Sequence, residues 1–174
     1  MTGWKERTRN DIIDGGSGND TVTVYEEGTS GADTLNGSVF NETLYGRDGD
    51  DMLYGNDGDD ILYGGGDTDT LSGGNGADVF VFESASAFSN VDTVTDFDVS
   101  ESDVIDIADL LSGYDPLTDA ISDFVQITDN GTDSVLSVDA DGGADNFVQV
   151  ATLLNVTGLT DEDALETSGN LITV

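Results

Sequence analysis

Carboxylates recur every nine residues in this chain, at Asp33, Glu42, Asp51, Asp60, Asp69 and Asp78, with an isolated forerunner at Asp20. They belong to a pattern, G-G-x-G-x-D-x-U-x with U large and apolar. It runs six times without a gap from Gly28 to Val81 and once more at Gly15–Thr23. A carboxylate beside a glycine-rich turn can hold a cation, because the turn lets backbone carbonyls converge while the Asp adds charge. The chain has no His and no Cys. Only oxygen ligands remain, so hard cations are favoured over zinc or copper. With those residues missing and no G-x-S-x-G element, only carboxylate pairs could catalyse, and the cation pattern already uses them. The chain is not expected to be an enzyme.

The charge balance points the same way. Four Lys+Arg stand against 37 Asp+Glu, a net charge of −33. Such a surface repels nucleic acid phosphates and anionic membranes, so neither is an expected partner. Two like charges about 4 Å apart repel by about 4 kcal/mol at an effective dielectric near 20. Packing these carboxylates into a compact fold therefore needs bound cations. Composition alone would also suit an acidic disordered tail, but 36% of residues are hydrophobic, and they fall in phase with the repeat. No stretch approaches the roughly 20 apolar residues of a membrane span. The start, MTGWKERTRN, has no apolar h-region and is not expected to be a Sec signal peptide. All the basic residues except Arg47 lie there.

Each nonapeptide couples its turn to a strand of about three residues that cannot bury its own apolar side chain, so the units must stack. The eighth position then points inward: Val22, Leu35, Leu44, Leu53, Leu62, Leu71 and Phe80. Its neighbours point outward, and many are the Thr, Tyr, Ile or Val that suit a strand surface. Tyr45, Tyr54 and Tyr63 recur at the ninth position. Only Tyr45 and Tyr63 would share a face, as surface packing.

The nonapeptides resemble those of RTX (repeats-in-toxin) proteins, over roughly residues 10–95. That resemblance implies an all-β fold: a right-handed parallel β-roll of calcium-binding nonapeptides, two per turn, followed by a β-rich C-terminal cap with one or two short helices. Three turns make a rod only about 14 Å long. It further implies calcium ions held between a loop and the loop two repeats on. Gly28 and Asp33 would pair with Gly46 and Asp51, those with Gly64 and Asp69, and Gly55 and Asp60 with Gly73 and Asp78. Third-position Ser30, Asp48, Asp57, Gly66 and Asn75 are further candidates, as is Asp20 in the isolated copy. The repeat at 37–45 is spoiled by Ser38, Phe40 and Glu42, Asp67 replaces a fourth-position glycine, and Val24–Glu27 reads as an insertion that breaks register. About three to five ions are expected, with the best sites between Gly46 and Asp78.

From Phe82 the glycines stop, but the half-motif x-D-x-U-x returns as VDTVT (91–95) and SDVID (102–106). Asp92, Asp96 and Asp103 could complete a last calcium site or stand as uncoordinated surface carboxylates. Strands at Phe124–Thr128, Ser134–Val138 and Asn146–Leu153 read as an antiparallel meander with a hairpin turn at Asp129-Asn130-Gly131. DADGG (139–143) lacks most of an EF-hand's ligands and reads as a turn. Thr160 starts a short helix with a capping box, Gly169 ends it, and Leu171–Val174 is a last strand. This tail resembles the C-terminal region of bacterial type I secreted, adhesin-like proteins. The organisation expected is a lead-in at 1–14, the roll at 15–95, and a cap with the secretion signal at 96–174. The resemblance implies a secreted or cell-surface monomer that meets the type I secretion machinery, folds on extracellular calcium and caps a larger parent. Calcium-dependent adhesion is the alternative, and the tail of a secreted hydrolase or toxin a third. Variable third and fifth positions argue against ice binding.

Overall fold

A computed structural model of the chain describes residues 24–83, 87–143, 146–159 and 161–174. The lead-in 1–14, the isolated copy with Asp20 and Val22, and Thr160 lie outside the described residues.

The repeats supply strands β1 (Val24–Glu27), β2 (Thr34–Asn36), β3 (Glu42–Asp48), β4 (Met52–Asp57), β5 (Ile61–Gly66), β6 (Thr70–Asn75) and β7 (Val79–Val81). The half-motifs supply β8 (Asp92–Val94) and β9 (Val104–Asp106). Successive strands go to opposite sheets. One sheet runs β1-β3-β5-β7-β9 and the other carries β8-β6-β4-β2, all paired in parallel. This is a parallel β-roll. Its register puts Leu44, Leu62, Phe80 and Ile105 in one row and Leu35, Leu53, Leu71 and Val94 in the other. All except the partly buried Leu35 are fully buried between the sheets. On the outer face, Tyr45 and Tyr63 are stacked with ring centroids 4.5 Å apart.

Val24–Glu27 is not an insertion. It is β1, in register with β3 from Val24↔Glu42 to Glu27↔Tyr45. What a roll demands is an 18-residue interval between strands of one sheet, and these residues meet it although their nonapeptide pattern is lost. Glu26 then joins the row of Leu44, and burial raises its carboxyl pKa.

Both sheets run on through the expected boundary at residue 95. β10 (Val125–Asp129), β11 (Ser134–Val138) and β12 (Val148–Leu153) form the antiparallel meander, and β12 pairs in parallel with β8. α1 (Glu162–Ser168) leads to β13 (Leu171–Ile172), which pairs with β9. Each sheet edge at this end is thus covered, as an open roll requires. The helix's N-cap is Asp161, whose side chain accepts from the Ala164 N–H, and Gly169 ends it at φ +84°. Two short 3-10 turns, Ala108–Leu110 and Ile121–Asp123, had no signal in the sequence pattern. Phe82, Phe97, Tyr114 and Phe124 widen the core where the glycine loops give way to longer ones.

Candidate metal centre

The sixth-position carboxylates line up along the two edges of the roll. On one edge the Asp33 N–H donates to Asp51 Oδ1 at 2.7 Å, the Asp51 N–H to Asp69 at 2.9 Å, and the Asp69 N–H to Asp92 at 2.9 Å. On the other, the Glu42 N–H donates to Asp60 at 2.7 Å, the Asp60 N–H to Asp78 at 2.8 Å, and the Asp78 N–H to Asp103 at 3.0 Å. The half-motifs therefore prolong both ladders without any glycine loop.

One oxygen of each Asp is used in this way. The second, Oδ2 of Asp51, Asp60, Asp69 and Asp78, is buried and has no hydrogen-bond partner. Burial pushes the carboxyl of Asp60 up to about 6 and those of Asp69 and Asp78 up to about 7; neighbouring carboxylates add to the rise. Asp92 is also raised by burial, to about 6, and Asp51 and Asp103 shift the same way for the same reason. A buried, unpaired carboxylate is costly unless a cation or donor meets it. The first-position glycines lie directly against these oxygens. A Cβ on Gly55, Gly64 or Gly73 would land on Oδ2 of Asp60, Asp69 or Asp78. None of the three has a positive φ, so glycine is needed there for space, not for its backbone angle. The second and fourth positions do need the left-handed region, as Gly65 (φ +103°) and Gly76 (φ +137°) show. Arg47, Asn56 and Asp67 enter it without being glycine, at a cost of about 1 kcal/mol each.

The residues fit a hard cation. Among the described residues no three carboxylates converge on one point, so an ion here would take most of its oxygens from loop carbonyls, as calcium does. The first two described loops are satisfied from within. Asp33 Oδ2 accepts from the Thr29 N–H at 2.6 Å and its hydroxyl at 2.8 Å, and these bonds lower its pKa. Glu42 accepts from the Ser38 N–H and hydroxyl, while Ser38 and Phe40 avoid the left-handed angles of an intact loop. The third-position side chains lie farther out: Asn75 donates to Asp57 at 2.7 Å, while Ser30 and Asp48 are exposed.

Asp96 and Asp103 divide their roles in a way the spacing did not separate. Asp96 accepts from the Gly73 and Gly74 N–H groups, both at 3.0 Å, and from the Ser72 hydroxyl at 2.6 Å, so it anchors a loop. Asp103 is the ladder residue, and its second oxygen accepts from the Asp98 N–H. In SDVID it stands where the nonapeptide has its sixth-position Asp, which was the available signal. A second set of rungs had no counterpart in the sequence reading. Fifth-position Asn41, Asp50 and Asp59 accept from the N–H groups of Asp59, Thr68 and Ala77, one full turn ahead.

The family model for the RTX calcium-binding nonapeptide repeat matches residues 8–23, 27–62 and 45–80. The chain carries RTX calcium-binding repeats. Among solved structures, this RTX roll is similar to the AlgE6R3 subunit from the Azotobacter vinelandii mannuronan C5-epimerase. The two are 29% identical with a TM-score of 0.54, over 94% of this chain and 87% of that one. The AlgE6R2 subunit of the same epimerase shares the fold, at 24% identity and a TM-score of 0.54, over 87% of this chain and 92% of that one. No curated protein sequence matches the chain. RTX calcium-binding repeats imply calcium binding, and the orphaned carboxylate oxygens of this roll belong to Asp51, Asp60, Asp69 and Asp78.

Proposed function

We propose that the chain is a calcium-triggered folding module of a secreted protein, extended where calcium is scarce and folded where it is plentiful. The observation that carries this reading is the set of four buried Oδ2 atoms without partners. Without a cation, folding forces these charges out of water and against one another. At a net charge of −33, the unfolded chain relieves that repulsion. When bound, calcium supplies the positive charge that Asp51, Asp60, Asp69 and Asp78 lack. The carboxylates and loop carbonyls of Gly46–Asp78 would hold it, and the Leu and Phe rows would close once the loops are set. The ions' binding free energy then becomes folding free energy.

Extracellular calcium sites typically have dissociation constants of about 0.1–1 mM, which suits a change from cell interior to exterior. On this reading the module leaves through a type I secretion channel unfolded and folds at the exit, where the meander with α1 and β13 closes the end of the roll. Circular dichroism of the full chain with and without calcium tests the reading. A large gain in β structure is expected on adding calcium, and a calcium-free chain already rich in β structure at neutral pH would sink it.

A second reading draws on the likeness to AlgE6R3, a subunit of an epimerase: the module is appended to a secreted enzyme whose active site lies in another part of the parent. Attachment to such an enzyme would make its activity, and not only its folding, calcium-dependent.

A further inference from the structure

The described residues bury five carboxylate oxygens that have no hydrogen-bond partner, and only four belong to the roll. The fifth is Oδ2 of Asp139, at the end of β11, on a residue that is 1% exposed. Like the roll sites, it pairs a buried carboxylate with an oxygen that lacks a partner. Asp139 Oδ1 accepts from a backbone N–H, that of Asp141, at 3.4 Å, while Oδ2 meets no donor among the described residues. The turn is held firmly. The Asp139 N–H donates to the Phe124 carbonyl at 2.8 Å, and the Ser112 N–H donates to the Ala140 carbonyl at 2.7 Å. Gly142, at φ +61°, lies so close to Phe124 that a Cβ would strike the ring. Asp141, exposed in the same turn, adds a second negative charge and accepts from the Gly143 N–H at 3.2 Å. Among the described residues the one cationic side chain, Arg47, pairs with Glu27.

We propose that Asp139 binds a hard divalent cation of calcium's class in the cap, at a site separate from the roll. The chain's donors are all oxygen, which sets the class of ion. Carbonyls of the turn and water complete such a shell. The ion staples the turn at 139–143 that follows β11. β12 lies against β8, whose Asp92 closes one carboxylate ladder, so the cap sets under the same condition as the roll.

The test counts calcium ions bound per full-length chain, by equilibrium dialysis at saturating calcium. Asp139→Asn is expected to lower the count by one ion while the β-sheet circular dichroism is kept. Asp69→Asn serves as the roll control, so loss of roll binding is distinguished from loss of the cap ion. An unchanged count in a folded Asp139→Asn chain overturns the proposal. If that variant fails to fold, a little Mn2+ added to the calcium-loaded wild-type chain decides. Broadening of the Gly142 and Gly143 amide resonances supports the site, and resonances left untouched overturn it.

Discussion

Asp69 shows how one residue carries both the cost and the remedy. It is fully buried, its Oδ1 accepts from a single N–H, and burial pushes its carboxyl up to about 7. Asp69→Asn is expected to weaken calcium-induced folding by at least about tenfold in calcium midpoint. Asp33→Asn should change it far less, because Thr29 already satisfies that carboxylate; calcium titrations followed by circular dichroism compare the two. Gly64→Ala drives a Cβ into Asp69 Oδ2 and is expected to cost about 1–3 kcal/mol in the calcium-loaded chain, read by denaturant unfolding. The raised carboxyls also fix a pH dependence. Their folded pKa values, about 6 to 7 for Asp60, Asp69, Asp78 and Asp92, lie above the unfolded value near 3.9. Between those limits the folded state holds more protons, so calcium-free stability falls as pH rises through the window. The calcium-free chain should therefore show more β structure near pH 5 than near pH 8, and calcium, competing with protons, should bind more weakly at the lower pH.

At the scale of elements, pairing two repeats apart in one sheet makes each strand depend on its neighbours. Leu62 sits between Leu44 and Phe80, and Leu62→Ala is expected to cost about 2–5 kcal/mol, lowering the unfolding midpoint in saturating calcium. The end of the roll is closed by very little chain. β13 is only Leu171–Ile172 on β9, helped by the Asn170 side chain, which donates to the Asp103 carbonyl at 2.6 Å. Glu166 accepts from the Tyr114 hydroxyl and from Thr173, which ties helix, loop and last strand together. Deleting residues 171–174 is expected to bare the β9 edge and raise the calcium needed for folding, with hydrogen exchange fastest first at Val104–Asp106.

The whole molecule is balanced between its net charge and its ions. Raising sodium chloride screens exposed carboxylates but cannot reach buried ones, so salt should shift the calcium midpoint only modestly. Magnesium keeps its waters and demands a strict octahedron, and at equal concentration it should fail to fold the chain. Circular dichroism with each ion checks both outcomes.

Most of the roll was legible in the residues. The nine-residue rhythm placed Leu44 to Phe80 in the core, located the strands, and named Asp51, Asp60, Asp69 and Asp78, because glycine and Asp are chosen locally by the turn. The meander and the final strand were legible too, from Asn130-Gly131 and the apolar runs around it. Other features depend on what packs alongside, which no local pattern records. Val24–Glu27 became β1 through its 18-residue offset from β3. The choice between a satisfied carboxylate and an orphaned one was likewise tertiary. Asp33 and Asp69 occupy the same place in the repeat, yet Thr29 closes one while the sheets bury the other with an oxygen to spare.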